Sequence, residues 1–159
     1  MEEQFTLTRE IAAQPDTVFR ALTEPSELDR WWTTSSDSDP RTGGAFEYRW
    51  EFDQTAGRED HRQSGAYEEV VADRRLVYPW QAASGATTVE VTLAPSGDGT
   101  TVELVHRGWG EGEAWDESVR MHQEGWGFFL DNLKTYLEQG EDRRSAMGLK
   151  TPAASRASA

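Results

Sequence analysis

Two polar side chains fall where strand alternation turns them toward a core. His106 shares its phase with Val102 and Leu104, and Glu69 shares its phase with Tyr67. A neutral imidazole and a carboxyl group within hydrogen-bond reach form a general acid/base pair, and the same groups can orient a hydroxyl or carbonyl of a bound molecule. Two plainer readings stand beside this one: a mutually satisfied core pair, or a bulge after Glu68 that turns Glu69 outward. The second chemical resource is the rings. Phe46, Tyr48, Trp50 and Phe52 alternate with Glu47, Arg49 and Glu51, so four aromatic side chains line one face of a single strand. Tyr67, Tyr78, Trp80, Trp126 and Phe129 join Phe46, Tyr48 and Trp50 as candidate walls of a ligand pocket, with Glu69 and His106 as its polar anchors. The alternative is that these rings meet and fill the interior to crystal-like density.

Other chemistries find no frame. His61, His106 and His122 are far apart, no helix carries His at i and i+4, and there is no Cys, so no metal site and no cofactor are expected. Gly43-Gly44 and the Gly108-Trp-Gly-Glu-Gly segment lack the following Lys and the strand-turn-helix setting of a phosphate loop, and no Gly-x-Ser-x-Gly elbow is present.

Charge narrows the partners. The 159 residues carry 29 Asp and Glu against 16 Lys and Arg, a net charge of -13, which repels nucleic-acid phosphates and anionic membranes and disfavours free anions as ligands. The N-terminus is acidic where a secretory leader would be basic, and no apolar run approaches the ~20 residues of a membrane span, so a cytoplasmic protein is expected.

These residues need elements to hold them. Phe5 to Ile11 reads as a first strand, and Pro15 and Pro25 each open a short helix, a position where the missing N–H has no partner to lose. The second of these ends at Trp31-Trp32, a pair that caps the core beneath the sheet with one ring partly exposed, or contacts a partner. Residues 33–44 read as a loop, Phe46 to Phe52 as a strand, and 53–62 as a polar loop. A strand through Gly65, Tyr67 and Glu69 follows, then one through Leu76 to Trp80 whose Pro79 requires an edge or a bulge. Val89 to Leu93 and Val102 to His106 pair as a hairpin across Pro95-Ser-Gly-Asp-Gly. One long helix runs from about Glu113 to Gln139 and stops at Gly140, with Trp126, Phe129, Leu130, Leu133, Tyr136 and Leu137 on a single stripe. The packing this order allows is α+β: a curved antiparallel sheet of about six strands with the helices on one side. Residues 1–140 are expected as a single domain and 141–159, with small residues and no aromatics, as a mobile tail.

Four stretches carry a family resemblance: Ile11 to Trp32, with its two Pro-opened helices; Gly65 to Val70 with Arg75-Leu-Val-Tyr-Pro-Trp80; Gly99 to His106; and Gly125-Trp126 with Leu130, Leu133 and Leu137 to Gly140. In these the chain resembles the SRPBCC, or START-like helix-grip, superfamily, and within it proteins similar to the C-terminal domain of the activator of heat-shock-protein-90 ATPase. The resemblance implies a helix-grip fold, with a seven-stranded sheet wrapped round the long C-terminal helix and a cavity that in relatives takes apolar small molecules. It also implies alternatives. One is a cyclase- or dehydratase-type enzyme that uses His106 and Glu69 for proton transfer, and another is a stress-related or chaperone-associated interaction protein. The separate N-terminal domain of the eukaryotic co-chaperone has no counterpart here. A homodimer stays open.

Overall fold

The computed structural model describes residues 3–151, apart from 54, 56 and 84. In chain order the elements are β1 (Glu3–Ile11), α1 (Pro15–Thr23), α2 (Pro25–Trp31), β2 (Ser35–Ser38), β3 (Ala45–Trp50), β4 (His61–Ala66), β5 (Glu69–Val71), β6 (Arg75–Ala82), β7 (Gly85–Ser96), β8 (Gly99–Trp109) and α3 (Glu113–Gln139). All strand pairs are antiparallel and form two sheets, β1-β8-β7-β6-β5 and β2-β3-β4. This is the expected α+β helix-grip arrangement, with α3 gripped by the sheets.

Eight strands stand among the described residues where six or seven were expected. One addition is β2, inside the stretch expected as a loop. Its sequence, Ser-Ser-Asp-Ser, has no apolar alternation, and it is held by polar contacts instead: Arg49 Nε donates to Ser35 Oγ at 2.7 Å, and Ser36 Oγ donates to Asp29 Oδ1 at 2.8 Å. The other addition splits the expected Gly65-to-Glu69 strand in two. At Tyr67 and Glu68 the chain crosses between the sheets, since Tyr67 N–H donates to Gly44 O while Glu68 N–H donates to Val77 O.

Pro79 explains itself once the register is known. Val77 O accepts from Glu68, so Val77 turns its polar groups toward β5, and Pro79, two residues on, faces the same way beyond the end of β5. No ladder bond is lost there. Gln81, the next residue on that side, is paired by a side chain: its N–H donates to Gln63 Oε1 at 2.8 Å and its carbonyl accepts from Gln63 Nε2 at 2.7 Å. A buried amide thus ties β4 of one sheet to β6 of the other.

α3 closes the core. Glu113 and Asp116 occupy its first turn, where carboxylates favour the positive end of the helix dipole, and Gly140 ends it in the left-handed conformation at φ 72°. Trp126, Leu130 and Leu133 are buried against the strands. The expectation of a mobile tail from Glu141 is corrected for 141–151. Arg144 is fully buried: Nη1 donates to Thr33 O at 2.7 Å, Nη2 to Asp29 O at 2.8 Å, and Nε and Nη2 grip both oxygens of Asp142 at 2.9 and 3.0 Å. Leu149 is buried and bridges Phe52. The remaining residues of that expected tail, 152–159, lie outside the described residues.

Candidate functional site

A cavity of about 290 Å³ opens beside the middle of α3, against the ends of β3, β4 and β6. Trp32, Trp50, Trp80 and Trp126 wall its inner part. Phe52, Arg58, His61, Met121, His122, Gly125, Phe129 and Met147 complete it, with Arg58 and Met121 exposed at the rim. The sequence explains each position. Trp50 and Trp80 are the last inward-facing rings of β3 and of the paired part of β6. Met121, Gly125 and Phe129 recur at four-residue steps along one side of α3, and Arg144 holds the chain that delivers Met147. A Cβ built on Gly125 meets nothing within 4 Å, so the helix contributes empty space at that point.

The indoles are braced by histidines. Trp80 Nε1–H donates to His122 Nε2 at 3.1 Å, and His122 Nδ1–H donates to Ser118 O at 2.7 Å. Trp126 Nε1–H donates to His106 Nδ1 at 3.1 Å. An indole nitrogen can only donate, so His106 Nδ1 carries no proton; Nε2–H then meets Thr87 Oγ1 at 2.7 Å, and the Thr87 hydroxyl donates to Trp80 O at 2.8 Å. His106 is fully buried, and burial followed by the neighbouring His122 pushes its pKa down to about 3. Burial also lowers His122 and His61. All three imidazoles are neutral at pH 7.

Of the ten residues expected at a pocket, Trp50, Trp80, Trp126 and Phe129 line the cavity. Phe46, Tyr48, Tyr67 and Tyr78 do not. Their rings pack on one another, Phe46 at 4.9 Å from Tyr48, 5.0 Å from Tyr67 and 5.5 Å from Tyr78, and the hydroxyls of Tyr48 and Tyr67 meet at 2.7 Å. His106 stands behind Trp126 as a brace. Glu69 is corrected as a polar anchor, and the alternative that turns it outward holds: the crossing at Tyr67 and Glu68 breaks the alternation, and its carboxylate turns to solvent, where it pairs with Arg75 at 3.0 Å. Arg75 also meets Glu90 at 3.3 Å, and Glu90 meets Arg107 at 3.0 Å, a network on the outer face of the sheet. Glu69 and His106 therefore occupy opposite faces and share no proton.

Trp31 and Trp32 are also corrected, since neither ring is left partly exposed for a partner. Trp31 Nε1–H donates to Ala21 O at 2.8 Å, and Trp32 stacks between Trp31 and Trp80, with ring centroids 5.5 and 6.1 Å away. Sequence reasoning missed Trp32 as a wall and His122 as a brace. The signal for His122 was its four-residue step from Trp126, which puts both on one side of α3. Among the described residues no three His, Asp or Glu side chains gather as metal ligands, and no helix is long and apolar enough to cross a membrane.

The fold has many solved counterparts. The chain is similar to a Mesorhizobium loti protein at 21% identity, over 87% of this chain and 99% of that one, with a TM-score of 0.72. A Chromobacterium violaceum protein is 26% identical over 85% of this chain and 96% of that one, with a TM-score of 0.70. A Colwellia psychrerythraea protein, solved in solution as the Aha1 dimer, is 21% identical over 87% of this chain and 98% of that one, also at 0.70. No curated protein matches. Residues 12–138 match the family profile described as Activator of Hsp90 ATPase homolog 1-like protein. That span includes both Pro-opened helices, seven of the eight strands whole and nearly all of α3, and the chain belongs to the Activator of Hsp90 ATPase homolog 1-like family.

Proposed function

We propose that this protein is a cytoplasmic binding module that holds an apolar, aromatic small molecule in the cavity beside α3. The observation that carries the reading is the cavity itself: about 290 Å³ walled by four indoles, close to the lower bound of ~300 Å³ for small-molecule pockets. Burying ~200 Å² of apolar ligand surface there contributes about 5 kcal/mol before association costs, so one or two good hydrogen bonds suffice for micromolar affinity. Titrating Trp fluorescence with one- and two-ring aromatic compounds tests it. Saturable quenching is expected, because four of the seven Trp residues lie at the wall; a flat response to every compound overturns the reading. The Colwellia relative is a dimer, and self-association is part of the proposal. Light scattering that gives the monomer mass across the accessible concentration range removes that part.

A further inference from the structure

We infer that the cavity takes an aromatic carboxylate, its rings among the indoles and its carboxylate directed to Trp50 and Arg58. The inference rests on the reading of the cavity as a binding site and names the chemistry of the occupant.

The first observation is an orphan donor. Trp50 is 4% exposed, and its Nε1–H is buried with no hydrogen-bond partner among the described residues. Buried donors are almost always paired, and here two neighbouring indoles are: Trp80 by His122 and Trp126 by His106. The exception belongs to a ring on the wall of the cavity; the nitrogen itself is covered, and a small turn of the indole would bring its N–H to an acceptor carried by a ligand. The second observation is the charge of the wall. The chain has 29 acidic residues, yet among the described residues none lines the cavity, and Arg58 carries the one formal charge among the described lining side chains. The Arg58 guanidinium rests over the Phe52 ring, 5.9 Å from its centroid, and makes no ion pair among the described residues. A guanidinium so placed offers its N–H fork to a carboxylate, the geometry it matches best. His61 and His122 face the cavity as neutral rings whose Nε2 atoms already accept, from Gln63 and Trp80.

The net charge of -13 argues against anions only at long range. Surface fields are screened over about 8–10 Å in ordinary salt, whereas a carboxylate inside the rim would contact Arg58 directly. The volume limits the rest of the ligand to about two fused rings.

Naphthalene-2-carboxylate and naphthalene-2-carboxamide share rings and a carbonyl acceptor and differ in charge, and calorimetric titration of both tests the inference. The carboxylate is expected to bind about tenfold more tightly, with the preference shrinking as salt rises. Arg58→Gln, at an exposed position, should remove most of that preference by weakening the carboxylate far more than the carboxamide. Trp50→Phe should weaken both compounds several-fold, and the indole N–H resonance lost in that variant should move downfield when the carboxylate binds to the unmodified protein. Equal affinities, or a preference that survives Arg58→Gln, overturn the carboxylate assignment while the cavity reading stands. If neither compound binds, the cavity reading falls and this inference with it. Should Trp50→Phe fail to fold, Arg58→Gln and the salt dependence decide.

Discussion

Tyr48 and Tyr78 lie two residues from Trp50 and Trp80 on the same two strands, yet the tyrosine end of the inner face is filled and the tryptophan end is hollow. At the tyrosine end the hydroxyls find one another, Ser38 to Tyr67 and Tyr67 to Tyr48, both at 2.7 Å, and the chain crossing between the sheets closes the space behind them. At the tryptophan end each braced indole is held by an N–H bond to a histidine, so it cannot tilt into the gap without leaving a donor unpaired. The facing position on α3 is Gly125, which brings no side chain to fill it. Dispersion alone would close such a gap. The difference teaches that polar contacts at the edges of rings decide whether an aromatic face packs or encloses.

Four measurements break or sharpen this contrast. The largest effect is expected at the filled end: Tyr48→Ala should cost about 4 kcal/mol of unfolding free energy, while Phe129→Ala at the cavity should cost about 1 kcal/mol, because only the first leaves a new void inside packed rings. Similar losses in denaturant titrations would erase the distinction. Acid comes next. His106 is held neutral with a pKa of about 3 against ~6.5 unfolded, so between these values the unfolded chain binds the extra proton. Its contribution is complete above pH 6.5 and is lost as pH falls, by about 3 kcal/mol at pH 4, and the lowered His122 and His61 add in the same direction. An imidazole resonance of His106 that titrates near pH 6.5 in the folded protein would sink the brace. Third, Tyr67→Phe should cost about 1 kcal/mol by cutting the link between Ser38 and Tyr48, and a neutral change would show that ring packing alone holds the filled end. The smallest change in stability is expected at the hollow end. Gly125→Ala should raise stability by up to ~1 kcal/mol through helix propensity, and Gly125→Leu should fold equally well while blocking ligand uptake. Ligand binding that survives Gly125→Leu would place the site elsewhere.

Much of the frame was legible in the chain. Pro15 and Pro25 open their helices, Gly140 closes α3, and the alternation through Val102, Leu104 and His106 buries all three. Each of these depends on neighbours within a few residues. Ser35 to Ser38 could not be read as a strand because nothing in it alternates, and only pairing with β3 supplies its bonds. Strict alternation puts Glu69 on the wrong face because it carries no phase across the break at Tyr67 and Glu68, and only the alternative with an irregularity there turned it outward. Arg144 looked like one more charge in a polar tail, and its acceptors at Asp29 and Thr33 are more than 100 residues earlier.

The sequence alone determined that the inner face would be aromatic, that one long helix would cover it, and that His106 would point inward, since periods of two and 3.6 residues are local properties of the backbone. The tertiary structure alone decided which rings meet and which stand apart. That outcome depends on the spacing between α3 and the strand ends and on hydrogen bonds such as Trp80 to His122, formed between residues 42 positions apart.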